Sequence, residues 1–551
     1  MSKRVNVGTT LQNYATVLPV EIWRECFMHL GISEHKRLAE ICRFFHDICL
    51  AFIFKSITFS SHTVFYKSSS PQAMTSQLEK LTDYIARFTT LAMSPRYASL
   101  VRKCTLRHSL RLSTSLVEDV AKLAKDTYES FIQAFVECLP QFVNIREIRI
   151  GCEKKMDRRV LSVLATLPQV EKLSLTSVRF GVHQLKPQIK VKKLWIHNST
   201  SDTNPNKAAK RLELFSSEHL EELYIFSKAD APKIFLALTN QGPLKNLTNL
   251  SLELNPKDLD ILCRFLAMCP HIESLRVILG CNDDTTKRIA FPSLPRSTVP
   301  FLQSFSGHES VAKVFVPGRS VKKVCIRQRG TRMDRHYSDM EDIIPYLCQS
   351  TGPVIDLEFM NMQSEPDVMA LLATRLPRLS RLTLELNHEK VFPQEDPHSI
   401  QLEVARANEH VSRQTRKAAS QSNDVMEPID DHAFYMSLMH WTAHGRVVLP
   451  PSLETLHLLD DFSSDVVPFV PDFESDSEFE SDSDSNNWDR CAKEKPKKPK
   501  MVPYTFAMAE SIFDTISVQY PALQRLTIGN IHEGKEWIKS TNKKWNFLCR
   551  K

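Results

Sequence analysis

One short pattern constrains this chain more than any other feature: an apolar residue, two residues of any kind, a second apolar residue, one of any kind, and a third apolar residue. It occurs at Val101/Cys104/Leu106, Ile145/Ile148/Ile150, Val170/Leu173/Leu175, Val191/Leu194/Ile196, Leu220/Leu223/Ile225, Leu247/Leu250/Leu252 and Ile272/Leu275/Val277. After a weaker match at Leu302/Phe305 it returns at Val321/Val324/Ile326, Val354/Leu357/Phe359, Leu379/Leu382/Leu384, Leu453/Leu456/Leu458 and Leu523/Leu526/Ile528. The last two apolar positions are two apart, so they share one face of a short strand, and the first lies in the turn that enters it. From Ile145 to Leu379 successive starts lie 19 to 33 residues apart, with a mean of 26. Many units also place an apolar helix end and a proline before the strand, as in VLSVLATLPQVEKLSL and LLATRLPRLSRLTLEL. Helix, proline and strand then form one unit, which hides its apolar side only by stacking on its neighbours.

Two intervals break this rhythm, from Leu379 to Leu453 and from Leu453 to Leu523, at 74 and 70 residues. They mark insertions at about 388–447 and 461–503. The first is polar and then regains a helical piece, HAFYMSLMHW. The second carries FESDSEFESDSDS followed by KEKPKKPK, whose charge and lack of aliphatic periodicity predict disorder. The chain's net charge of +7 therefore hides opposed parts: residues 460–500 carry a net −6, and the other 510 residues carry +13. A length of 551 residues admits three or four domains at about 150 each. The repeats instead predict one array preceded by a small module.

That module begins after a polar segment, residues 1–16, expected to be disordered. In VLPVEIWRECFMHL, Pro19 suits the first turn of a helix, Ile22, Cys26 and Leu30 recur every four residues, and Trp23 and Phe27 widen the apolar face. Gly31 is placed to stop this helix and Ser33 to cap the next. In SEHKRLAEICRFFHDICLAF, Leu38, Ile41, Cys42, Phe45, Ile48 and Phe52 follow a 3.6-residue period, and a strand-like run, IFKSITFS, comes after. Helices are expected near 74–92 and 116–139. Three short helices in some 40 residues bury little by themselves, so part of their apolar surface must meet the rest of the chain or another protein.

The 26-residue period resembles that of leucine-rich repeats, and residues 17–58 resemble an F-box: Leu18-Pro19-x-Glu21-Ile22, then Phe27 and Leu30, then Leu38, Ile41-Cys42-Arg43-x-Phe45 and the closing Phe54-Lys55-Ser56-Ile57. The layout is similar to that of divergent, fungal-type F-box/leucine-rich-repeat substrate receptors. The resemblance implies an α/β chain with a three-helix module at 17–58, a helical linker and first repeats at 59–140, and an irregular strand-helix solenoid at 141–551. It further implies that Leu18, Pro19, Ile22, Phe27, Leu30, Leu38, Ile41 and Cys42 lie at or behind a surface that holds the Skp adaptor of a cullin-based ubiquitin ligase, while the repeats hold a protein target. A purely structural helical cap is the alternative. The chain departs from typical leucine-rich repeats in one respect, because the characteristic asparagine falls only at Asn255 and Asn387.

In such an array the strands line the concave face, and the residues flanking each middle apolar position point outward: Glu147/Arg149, Lys172/Ser174, Lys193/Trp195, Glu222/Tyr224, Asn249/Ser251, Ser274/Arg276 and Lys323/Cys325. Trp195 and Tyr224 fall in adjacent units. Aromatic and arginine side chains on an exposed face are typical anchors, so Arg149, Lys193, Trp195, Glu222, Tyr224 and Arg276 are the candidate target contacts.

Other chemistry is not indicated. Glycine is scarce, 13 residues, and neither GxGxxG nor GxxxxGK[ST] occurs. The 13 cysteines form no CxxC pair and read as reduced core residues. His440 and His444 have helical spacing for a metal but no HExxH context, and Arg327, Arg329, Arg332 and Arg335 read as a solvated loop rather than a nucleic-acid site. No catalytic group, cofactor or metal is expected. No run approaches the roughly 18 apolar residues of a membrane span, and the start lacks a signal-peptide core, so an intracellular chain is expected, in cytoplasm or nucleus. Ser475, Ser477 and Ser481 each precede an acidic residue by three, a pattern acidophilic kinases favour, and Lys495–Lys500 has the make-up of a nuclear address.

Overall fold

The computed structural model describes residues 18–65, 71–112, 118–152, 155–180, 184–197, 212–280, 294–327, 340–362, 366–386, 438–439, 442–459, 506–528, 535–540 and 544–549. The tail at 1–16, most of both insertions, Ser475, Ser477, Ser481, Lys495–Lys500, Asn387, His440, Arg329, Arg332 and Arg335 lie outside these residues. The chain divides into two compact units, Met1–Cys281 with Ser297–Pro300, and Asn282–Arg296 with Phe301–Lys551. Each is a mixed α/β unit built on a long, mainly parallel sheet. Among the described residues no helix is long and apolar enough to cross a membrane.

The first unit opens with three helices, α1 (Val20–Phe27), α2 (Ile32–Ala39) and α3 (Arg43–Ile53), and then β1 (Ser56–Phe65). Gly31, rather than Ser33, is the N-cap of α2, since the helix already begins at Ile32. Ser33 donates to Glu34 instead. Two helices, α4 (Pro71–Met93) and α5 (Pro95–Ala98), lead to β2 (Lys103–Leu112), and α6 (Glu118–Cys138) leads to β3 (Glu147–Cys152). Beyond α7 (Arg158–Ala165) come β4 (Lys172–Thr176), β5 (Gln184–Ile189), β6 (Lys193–His197), β7 (Glu213–Phe215) and β8 (Glu222–Phe226). The unit continues through α8 (Ala231–Thr239), β9 (Asn249–Leu254), α9 (Leu259–Ala267) and β10 (Ser274–Leu279).

Strands β1, β2, β3, β4, β6, β8, β9 and β10 pair in that order, all parallel. The sheet therefore starts at β1, one strand before the first sequence match. The triads superpose in register: Ile148 faces Leu173, which faces Leu194, then Leu223, Leu250 and Leu275. Every triad residue in the unit is buried. At the start of the sheet the same layer becomes aromatic, where Phe59 stacks on Phe88 of α4 and Phe131 of α6 at 4.0 Å each. Between β4 and β6 the described residues form no helix, and β5 stands there instead. QLKPQI buries Leu185 and Ile189 in an extended run paired to β7.

The second unit contains β11 (Ser304–Gly307), α10 (Glu309–Phe315), β12 (Lys323–Arg327), α11 (Met340–Leu347), β13 (Asp356–Met362), α12 (Pro366–Arg375), β14 (Arg381–Leu386) and β15 (Thr455–Leu459). It ends with α13 (Phe506–Gln519), β16 (Arg525–Ile528), β17 (Lys535–Lys539) and β18 (Trp545–Cys549). Strands β11 to β16 are parallel, and β17 and β18 turn antiparallel. The weak match at Leu302/Phe305 is a true repeat strand, with both residues buried. Leu438 and Met439 of the first insertion are helical and buried, so that segment rejoins the core. The closing hairpin places Trp537 and Trp545 on Phe513 of α13, at 5.0 and 5.8 Å.

Where typical leucine-rich repeats use an asparagine ladder, backbone bonds hold these turns. Just before each strand, Lys192, Glu221, Thr248 and Glu273 donate N–H to the carbonyls of Glu171, Lys192, Glu221 and Thr248 respectively, each at 2.8–2.9 Å.

Candidate functional site

Two surfaces of the first unit depart from what folding alone requires. The first is the outer side of α1–α3. Helix α1 carries two apolar columns about 100° apart. Trp23 and Phe27 point inward, and Phe27 is 4% exposed in a cluster with Phe45, Ile48 and Cys49. Ring centroids there lie 5.0 Å apart for Trp23–Phe45 and 5.3 Å for Phe27–Phe45. The other column, Ile22 and Cys26, continued backward by Leu18, faces solvent.

Of 13 large apolar residues exposed among the described residues, six lie between Leu18 and Ile41, so the exposure is concentrated rather than scattered. They are Leu18, Ile22, Met28, Leu30, Ile32 and Ile41, the last 65% exposed. Pro19 is exposed beside them, and Leu38 and Cys42 are half-buried. Cys42 caps α3, its Sγ accepting the N–H of Phe45 at 3.5 Å. Phe27 belongs to the module's own core and is not part of this surface. Met28 and Ile32 are members that the sequence motif does not single out; their signal is the excess of apolar residues beyond one helical stripe. The module rests on α5 through Arg96–Asp47 at 2.8 Å and Phe54–Tyr97 at 4.8 Å.

The second surface is the side of the sheet opposite the buried triads. Parallel register aligns its side chains in rows. One row runs Lys103, Glu147, Lys172, Lys193, Glu222, Asn249, Ser274; the next Thr105, Arg149, Ser174, Trp195, Tyr224, Ser251, Arg276. A third holds Arg107, Gly151, Thr176, His197 and Phe226, beyond which Glu253 faces Ile278. All six candidate target contacts fall in the first two rows.

At their centre the Trp195 and Tyr224 rings lie 4.4 Å apart. The Lys172 ammonium stands over the Trp195 ring at 4.5 Å and lies 3.6 Å from Glu147, which accepts from Arg149 at 2.6 Å. Lys193 donates to Glu222 at 2.7 Å. Arg276 lies over Phe226 at 5.9 Å. Burial, with the Glu222 carboxylate alongside, pushes the Tyr224 hydroxyl up to about 12, so it stays protonated. Burial also holds His197 below the ordinary imidazole value and keeps it neutral, against a smaller opposite pull from Glu253.

On the second unit's sheet, Cys325 is buried rather than open on the outer face, and its Sγ accepts from Arg327 Nε at 3.1 Å. Arg327 is a strand residue whose guanidinium also meets Glu358 at 3.0 Å, so the solvated-loop expectation does not hold for it.

No family model matches this chain, and no curated protein matches it. Among solved structures it is similar to one described as the crystal structure of a Rad7 and Elc1 complex in yeast, at 11% identity over 68% of this chain and 88% of that chain, with a TM-score of 0.29. The residues above, and not that likeness, carry the functional reading.

Proposed function

We infer that the chain is a substrate-recognition subunit of a cullin-based, SCF-type ubiquitin ligase. Its N-terminal helices hold a Skp-type adaptor and the outer face of its repeats holds a protein target. The supporting observation is the apolar surface of α1–α3. Six large apolar side chains exposed within 24 residues are more than a monomer leaves uncovered without a use. The alternative, a structural cap on the array, accounts for the packing of the module on α5 but not for this surface, since the outer side of a cap is polar. In this role the chain contributes binding alone, raising the target's effective concentration beside an enzyme held by the ligase core.

Affinity purification of the tagged chain tests the reading. A Skp-type adaptor is expected with the unmodified chain and absent with Leu18→Asp/Ile22→Asp. Its absence from the unmodified sample would sink the ligase reading and favour the cap.

A further inference from the structure

We propose that the outer face of β2–β10 in the first unit is a docking site for an extended, carboxylate-rich segment of another protein, anchored on the Trp195–Tyr224 pair. The proposal deepens the recognition reading by naming the chemistry of the target, and three observations carry it.

The first is a cluster of unmatched polar atoms. The indole Nε1–H of Trp195, Nδ1 of His197 and Oγ of Ser251 are shielded from solvent and have no hydrogen-bond partner within the chain. Ser251 as a whole is 4% exposed. A shielded polar atom left unpaired costs about 1–3 kcal/mol, so three on one face, on β6 and β9 with only β8 between them, is an arrangement that folding alone disfavours. An indole N–H only donates, so its partner must present an acceptor.

The second observation is the sign of the charge around those atoms. The three outer rows from β2 to β10 carry six Lys and Arg side chains against three Glu, namely Glu147, Glu222 and Glu253. The acceptors that suit this surface are therefore anionic, and a carboxylate answers both the donor atoms and the field.

The third is shape. Trp195 and Tyr224 are flanked along their row by Ser174 and Ser251. A large apolar platform between two small residues takes one bulky side chain of a segment lying across the strands. From β2 to β10 the sheet covers six strand spacings, roughly 29 Å at about 4.8 Å each, which about nine extended residues cross at ~3.3 Å per residue. The segment is thus acidic, extended and centred on one apolar or aromatic residue.

The probe is a displayed library of random peptides, about twelve residues long to exceed that span, selected against the purified full-length chain at low salt. Enriched peptides are expected to carry an excess of Asp and Glu around one apolar residue and to lose binding at high salt. Trp195→Ala/Tyr224→Ala should weaken them about tenfold or more. Lys172→Glu, which removes the cation and spares both rings, should do the same while thermal unfolding of the chain stays cooperative. Failure to enrich any peptide, enrichment of basic or uncharged ones, or binding insensitive to both variants overturns the proposal. Adaptor capture by the same variants separates the two readings. Retained adaptor without peptide selection removes this proposal only, and peptide selection without any adaptor removes the ligase reading only.

Discussion

The two units are built on the same buried layer and differ on the opposite side of their sheets. In both, triads such as Leu223/Ile225 and Leu382/Leu384 are buried and stack strand on strand. On the outer side, the parallel strands of the second unit place no Phe, Tyr or Trp between β11 and β16. Ion pairs fill that space: Asp356 with Lys323 and Arg381 at 3.3 and 3.0 Å, Glu358 with Arg327, and Glu536 of β17 with Arg525. The first unit has an aromatic platform and a surplus of cations on the same side, and unmatched polar atoms gather around that platform, whereas the second unit has one on that side at Thr527 of β16. Stacking dictates the buried layer in both, while the outer side is free to differ, and it differs where binding is proposed.

The comparison breaks most visibly if the buried layers are not equivalent. Leu250→Asp in the first unit and Leu382→Asp in the second should each unfold the strands around them, because a lone carboxylate in an apolar layer costs more than about 4 kcal/mol. Hydrogen exchange across each unit reads this, and one unit tolerating the change would deny the equivalence. Next in size, Asp356→Ala should destabilise the second unit by up to about 1 kcal/mol, since it leaves Lys323 and Arg381, both more than half exposed, adjacent without their shared carboxylate. A denaturant midpoint that does not move would show that these ion pairs are decoration.

Ser251→Ala sharpens the contrast by reversing the sign. Removing a buried hydroxyl without a partner should leave the first unit unchanged or raise its stability by up to about 1 kcal/mol, while weakening acidic-peptide binding. A clear loss of stability would mean that the hydroxyl is needed by the fold. The smallest effect concerns His197. Its pKa is depressed in the folded state by burial, so the unfolded chain takes up a proton first, and stability falls as pH drops below the ordinary imidazole value of about 6.5. Melting temperature measured from neutral to mildly acid pH should show this slope, worth less than about 1 kcal/mol, and His197→Gln should flatten it.

Much of this organisation was legible in the sequence because burial leaves few choices. A strand packed on one side needs apolar residues two apart, so Cys104/Leu106 and Leu526/Ile528 announced themselves, and aligning the triads placed Trp195 beside Tyr224. Where local detail decided, the sequence said less: β5 carries no repeat signal, and α2 is capped by Gly31 rather than by Ser33. Helix α1 showed that a wide apolar face is two columns with different fates, which periodicity alone does not separate. The unmatched atoms of Trp195, His197 and Ser251 had no sequence signal, because they arise from how several strands pack around them.

The ligase reading rests on the surface of α1–α3, and mixing the purified full-length chain with a purified Skp-type adaptor tests it most directly. A stable one-to-one complex is predicted by size-exclusion chromatography, lost with Leu18→Asp/Ile22→Asp while the melting profile is retained. Failure of the unmodified chain to bind the adaptor, or undiminished binding by that variant, would contradict it.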